Sequence, residues 1–149
     1  MSRASGSPVG EVNPDEAWQI LSGDNTAQLI DVRTRAEWGY VGVPDLGEIG
    51  QKTAFVEWAA FPDMSVNPRF VAEVMEAIGD ETPKSFLFLC RSGVRSLRAA
   101  YAVAEHLAQM GVDAECLNVA EGFEGDLNAQ GHRGDINGWK ARGLAWRQS

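Results

Sequence analysis

Phe86-Leu87-Phe88-Leu89 is an unbroken apolar run of strand length, and it limits the fold more than any other segment. A strand without polar alternation leaves neither face for water, so it must be covered on both sides, as in the centre of a parallel sheet. The segments around it can supply that cover. Asn13-Pro14-Asp15-Glu16 reads as a helix start, with an Asn cap, a proline at the first helical position and Glu16 closing a capping box. Ala17, Ile20 and Leu21 give that helix its buried side. Asn67-Pro68 repeats the signal and opens a helix to about Ile78, which Gly79 ends. A third helix is expected from about Val94 to Met110, stopping at Gly111, with Leu97, Ala100, Tyr101, Ala104 and Leu107 as its buried stripe. Strands are expected at Val9 to Val12, Leu29 to Val32, Thr53 to Trp58 and Ala114 to Val119, with a short helical turn over Thr34 to Trp38. Strands alternating with helices give a three-layer α/β/α fold around a mainly parallel sheet of about five strands. Ligands in such folds bind beyond the carboxyl ends of the strands, here after Leu89 and after Val119.

Charge narrows the partners. The chain carries 13 basic and 21 acidic residues, a formal charge of −8. That balance argues against nucleic acid and against an anionic membrane surface, and it makes any local basic cluster informative. No apolar run approaches the ~20 residues of a membrane span. Residues 1–8, Met-Ser-Arg-Ala-Ser-Gly-Ser-Pro, lack the apolar centre of a signal peptide and read as a flexible tail before a domain at 9–149. The expectation is a cytoplasmic protein whose two cysteines, Cys90 and Cys116, are free thiols. His106 and His132 are expected to be solvated and add no metal-ligand spacing, so no metal is expected.

The basic cluster lies directly after the apolar run: Cys90-Arg91-Ser92-Gly93-Val94-Arg95-Ser96. A thiol there sits between the end of a buried strand and the start of a long helix. Unpaired N–H groups and the helix dipole bring positive potential to that point. Arg91 and Arg95 add permanent charge, and Gly93 lets the backbone curl into an anion-binding nest. These effects favour thiolate over thiol and would hold an oxyanion beside the sulfur. The plainer reading, a small buried core cysteine flanked by surface ion-pair arginines, gives the arginines no purpose.

This loop resembles the active-site loop of rhodanese-homology domains. Leu29-Ile30-Asp31-Val32-Arg33 with Glu37-Trp38 resembles that family's first signature, and Asn118 to Gly122 with Gly138-Trp139-Lys140 and Gly143-Leu144 its ending. The likeness runs over roughly residues 9 to 147. Two departures stand out. Gly39-Tyr40-Val41-Gly42-Val43-Pro44-Asp45-Leu46 has no histidine where the family has a Gly-His-Ile-Pro-Gly-Ala type stretch, and Asp126 to Gly134 is a polar stretch expected to form a longer rim loop. The resemblance implies a sulfurtransferase. Cys90 would take the outer sulfur of a small anionic donor such as thiosulfate, forming a persulfide, and a thiol, a protein thiol or cyanide would accept it. Arg91, Ser92, Gly93, Val94, Arg95 and Ser96 would bind the substrate, with both arginines on its oxyanion. No metal or organic cofactor is needed for such a reaction.

Two other classes compete. Protein tyrosine phosphatases place an arginine six positions after the nucleophile, where this chain has Ser96; Arg95 is five positions on, which disfavours phosphatase or arsenate reductase activity. The short loop suits sulfur better than tetrahedral phosphorus. A sulfur carrier or redox-signalling module acting with a protein partner would form the persulfide with little turnover of small donors. Asp31 and Arg33 are expected to pair and brace the neighbouring loops, with Glu37 in a similar supporting role. Trp38 and Trp139 are candidates for pocket walls, whereas Trp18, Trp58 and Cys116 default to core packing. The acids of Glu121 to Gly125 are expected to face solvent or a partner.

Overall fold

The computed structural model describes residues 9–60 and 62–148; the expected tail at 1–8 lies outside them. In chain order the elements are β1 (Val9–Val12), α1 (Pro14–Gly23), β2 (Ala27–Asp31), α2 (Arg35–Tyr40), β3 (Val43–Pro44), β4 (Ala54–Phe55), β5 (Ala59–Ala60), β6 (Ser65–Val66), α3 (Phe70–Ile78), β7 (Ser85–Leu89), α4 (Val94–Gln109), β8 (Glu115–Val119) and β9 (Trp146–Arg147), with a short 3-10 turn at Gly47–Ile49. Five strands form one sheet in the order β1-β8-β7-β2-β4, and every pairing in it is parallel. The expected three-layer α/β/α arrangement is the observed one.

The apolar run is β7, the middle strand, and all five of its residues are buried. Alternation along a strand sends successive side chains to opposite faces. Phe86 and Phe88 join Ile30, Val32, Phe70, Val74, Ala99, Ala100 and Val103 on the face covered by α3 and α4. Leu87 and Leu89 join Leu29, Leu117, Ala17, Leu21, Phe123 and Trp139 on the face covered by α1 and the C-terminal segment. Cys90 continues the alternation onto the Phe88 side, beneath α4.

The capping box at Asn13 forms as the residues foretell: Glu16 N–H donates to Asn13 Oδ1 at 2.9 Å, and Asn13 N–H to Glu16 Oε1 at 2.8 Å. Three expectations need correction. The buried side of α4 is Ser96, Ala99, Ala100, Val103 and Leu107, while Leu97 and Tyr101 are 38% and 43% exposed. The cysteine loop turns Ser96 inward, which sets the helix phase, and the small Ala99 and Ala100 fill the face against the sheet. Helix α3 begins two residues after Pro68, and the Asn67 side chain serves the turn that leads into it. Its Oδ1 accepts from Arg69 N–H, and its Nδ2 donates to the Glu57 carbonyl and to Glu73 Oε1. The strand expected over Thr53 to Trp58 is only Ala54–Phe55, at the sheet edge, after which Val56 and Trp58 N–H groups reach the Asp31 and Val32 carbonyls.

Asp31 and Arg33 form a fully buried ion pair at the carboxyl end of β2, with Arg33 NH2 2.7 Å from Asp31 Oδ2. Arg33 Nε also donates to Asp31, NH2 reaches the Gly42 carbonyl at 2.8 Å, and the guanidinium lies 4.2 Å over the Phe123 ring. The expected brace is therefore present, tying β2 to the loop before β3 and to the segment after β8. Breaking such a pair strands a charge in the interior, at a cost of about 3–5 kcal/mol, whereas replacing both members with apolar residues costs far less. Chemical denaturation should show Asp31→Ala to be more destabilised than the double variant Asp31→Leu/Arg33→Met.

Candidate active site

The site is assembled where β7 ends. Gly93, at φ 110°, occupies the left-handed region that glycine tolerates, caps α4 and directs its N–H at Cys90 Sγ, 3.1 Å away. Ser96, in the first turn of α4 and fully buried, places its hydroxyl 3.2 Å from the same sulfur. The Cys90 residue is 1% exposed and borders the apolar cluster of the Phe88 face. One flank of the sulfur is thus hydrocarbon, and another is a backbone N–H and a hydroxyl.

Behind Ser96 stands Asn118, a buried polar residue in β8. The Ser96 hydroxyl is 2.5 Å from Asn118 Oδ1, and Asn118 Nδ2 donates to the Gly93 carbonyl at 3.2 Å and to Glu11 Oε2 at 3.4 Å. A serine has one proton to donate. With that proton on Asn118, the Ser96 oxygen can accept from a Cys90 thiol; with the proton turned to Cys90, it stabilises the thiolate. Asn118 fixes Ser96 in the first state, and the second gives up that hydrogen bond. The sequence reading quoted Asn118 without a role; the signal was a lone amide in the otherwise apolar Cys116-Leu117-Asn118-Val119 stretch.

The segment after β8 holds the outer side of the cysteine loop. Phe123 N–H donates to the Cys90 carbonyl at 2.8 Å, and Glu124 and Gly125 N–H groups donate to the Arg91 carbonyl at 3.0 and 3.1 Å. These bonds engage the loop's carbonyls away from the sulfur. Gly122, at φ 67°, makes the approach possible, since a Cβ there would meet the Arg91 carbonyl carbon and oxygen at 2.5 Å. Glu121 turns inward instead of facing solvent: it accepts from Gly138 N–H at 2.9 Å and from Arg142, which lowers its pKa.

The two arginines of the loop part ways. Arg95 donates through NH1 and NH2 to Glu37 at 2.8 and 2.9 Å, a bidentate pair only 20% and 15% exposed. Glu37 also closes a capping box on α2, accepting from Thr34 N–H at 3.1 Å. Both arginines line the same cavity, but the Arg95 fork is engaged by Glu37, whereas Arg91 stands exposed. A cavity of 710 Å³ opens beside the loop, lined by Arg91, Arg95, Glu37, Glu124 and Val41, with Met64 from the β5–β6 turn and Gly131, His132 and Arg133 from the Asp126–Gly134 segment. That segment is the rim anticipated from its composition. Val94 is exposed at the start of α4, and Ser92 is half-buried.

Neither tryptophan proposed as a wall lines this cavity. Trp139 is fully buried, edge-on to Trp18 at 5.9 Å, with Nε1 donating to the Ala145 carbonyl at 2.8 Å. Trp38 packs edge-on against Phe55 at 5.2 Å and borders a separate groove beside Glu57 and Asn67. His132 is exposed and His106 half-buried. Among the described residues, no group of three or more His, Cys, Asp and Glu side chains is placed to hold a metal, and no helix is long and apolar enough to cross a membrane.

A cysteine at the end of a buried parallel strand, held by the first turn of the following helix, fits a rhodanese-like α/β domain. The model of the rhodanese-like domain matches residues 13–129, and the chain belongs to that family. It is 46% identical to the crystal structure of Rv0390 from M. tuberculosis, with a TM-score of 0.79 over 94% of this chain and 98% of that one. A rhodanese-like domain protein from Staphylococcus aureus shares the fold at 18% identity, with a TM-score of 0.52 over 94% of this chain and 98% of the other. An uncharacterized protein of Rickettsia conorii is 32% identical over 93% of this chain and 98% of its own length.

Glu37 gives the site a pH signature. Burial works to raise its carboxyl, but the Arg95 hydrogen bonds and charge, with the Thr34 N–H and hydroxyl, outweigh that and hold it at about 2, against 4.5 ordinarily. A carboxyl depressed on folding contributes stability that is complete above its unfolded value and is lost as pH falls toward the folded one. Unfolding measured between pH 4.5 and 2 should show Glu37→Gln losing less stability on acidification than wild type, from a lower starting point.

Proposed function

We propose that the protein is a sulfurtransferase that carries sulfane sulfur on Cys90. The observation that carries this reading is the convergence of the Gly93 N–H and the Ser96 hydroxyl on Cys90 Sγ. In the first half-reaction the Cys90 thiolate attacks the outer sulfur of thiosulfate. A bond forms between Sγ and that sulfur, the sulfur–sulfur bond of the donor breaks, and its electron pair leaves on sulfite. In the second, a thiophilic acceptor such as cyanide or a thiol attacks the outer persulfide sulfur and regenerates the thiolate. The same two donors that meet Sγ are placed to stabilise sulfur anion at the start and end of each cycle. Arg91, exposed on the cavity wall, is a cation available to the incoming anion, while the Arg95–Glu37 pair holds the loop against α2.

Phosphoryl transfer is the less favoured chemistry. It calls for a cation fork directed at the equatorial oxygens, and the Arg95 fork is directed at Glu37.

Thiocyanate formation from thiosulfate and cyanide tests the reading. Wild type should turn over, and Cys90→Ser should fall to background. Ser96→Ala should lose about 10–100-fold in kcat/KM, the range expected for one hydrogen bond to a charged sulfur. Turnover that survives in Cys90→Ser excludes the mechanism.

A further inference from the structure

The Gly93 N–H and the Ser96 hydroxyl meet Cys90 Sγ at 3.1 and 3.2 Å, and Asn118 is bonded to both of the residues that supply them. Its amide has one orientation that satisfies these partners. Nδ2 meets the Gly93 carbonyl, which can only accept, at 3.2 Å, and Glu11 Oε2 at 3.4 Å. Oδ1 therefore faces Ser96, and because an amide oxygen also only accepts, the hydroxyl donates to it. Ser96 and Asn118 are both buried, so a partner lost there is not replaced by bulk water. The single hydroxyl proton thus has two competing acceptors, Asn118 Oδ1 and Cys90 Sγ. The charge on Sγ decides between them. A thiolate draws the proton to itself, since a charged acceptor binds more strongly than a neutral one, and leaves Oδ1 without its donor. In a persulfide the negative charge sits on the outer sulfur. Sγ is then a neutral, weakly accepting atom, and the proton returns to Oδ1.

From this arrangement we propose that Asn118 is a positioning residue that favours the sulfur-loaded form of Cys90: its Oδ1 receives the Ser96 proton when Sγ is uncharged, and so stabilises the persulfide relative to the free thiolate. The inference rests on the sulfur-transfer reading and adds which state of Cys90 its surroundings favour. The loading step runs in both directions. Forward, the Cys90 thiolate bonds to the outer sulfur of thiosulfate, the donor's sulfur–sulfur bond breaks, and its electron pair leaves on sulfite. Backward, sulfite attacks the outer persulfide sulfur and the thiolate leaves. No proton enters or departs; the Ser96 proton only changes its acceptor. The loaded form therefore holds the Ser96–Asn118 hydrogen bond and the unloaded form the Ser96–Sγ bond. Removing the Asn118 acceptor takes a hydrogen bond from the loaded form alone.

Intact mass after equilibration with thiosulfate and sulfite at a series of fixed ratios reads the loaded fraction. Wild type, Asn118→Leu, Ser96→Ala and the double variant Ser96→Ala/Asn118→Leu would be compared. Asn118→Leu should need a thiosulfate-to-sulfite ratio about tenfold higher than wild type to half-load Cys90, the scale of one buried hydrogen bond. With Ser96 replaced by alanine, no hydroxyl links the amide to the sulfur. In that background the same Asn118→Leu substitution should move half-loading by less than about twofold. A purely structural loosening of the loop through Gly93 would act equally in both backgrounds, so the pair of comparisons separates the two roles. Asn118→Val, also suited to a strand, takes the place of leucine where thermal unfolding shows that the leucine variant does not fold. No shift on removing Asn118, or an equal shift with and without the Ser96 hydroxyl, overturns the role of Asn118 and leaves the sulfurtransferase reading standing. Wild-type protein that gains no sulfur at any ratio sinks that reading, and this inference with it.

Discussion

The contact between Cys90 Sγ and the Gly93 N–H depends on where β7 stops, and the site depends on that contact. Five buried residues carry the chain through the middle of the sheet, and the sixth is the thiol. Alternation puts its side chain on the α4 face, and the left-handed turn at Gly93 brings the helix's first free N–H back onto it. A strand one residue longer or shorter would turn the sulfur toward α1 and away from these donors. The position of the sulfur among its donors is therefore a consequence of sheet register.

Two buried polar arrangements keep that geometry in place, and they do different work. Asp31 and Arg33 form a closed pair beneath the loops, bridging β2, Gly42 and Phe123 with no exposure to solvent. Ser96 and Asn118 form an open chain that ends on the Cys90 sulfur. The largely buried Glu37–Arg95 pair joins the cap of α2 to the first turn of α4. Each uses a charge or an amide at the carboxyl end of the sheet, where the helices leave backbone groups to be satisfied.

Much of this was legible in the residues because local rules and the global fold agree. The apolar β7 run, the Asn13 capping box and the Cys90–Ser96 loop each point to one structure. The errors arose where a tertiary partner outweighed a local signal. Leu97 and Tyr101 look like a buried stripe by size, yet the inward turn of Ser96 sets the phase of α4. Asn67 looks like a cap, yet its Oδ1 meets Arg69 N–H in a turn ahead of α3, while its Nδ2 ties Glu57 and Glu73. Arg95 looks free to bind an anion, yet Glu37, distant in sequence, takes its whole fork.

The central claim is that one sulfur, held by Gly93 and Ser96, is the atom that carries the transferred sulfur. Thiosulfate isotopically labelled at its outer sulfur, followed by peptide mapping under non-reducing conditions, tests it most directly. The label should appear on the peptide containing Cys90, and the released sulfite should be unlabelled. Label on the Cys116 peptide, or labelled sulfite with none on the protein, would contradict the account.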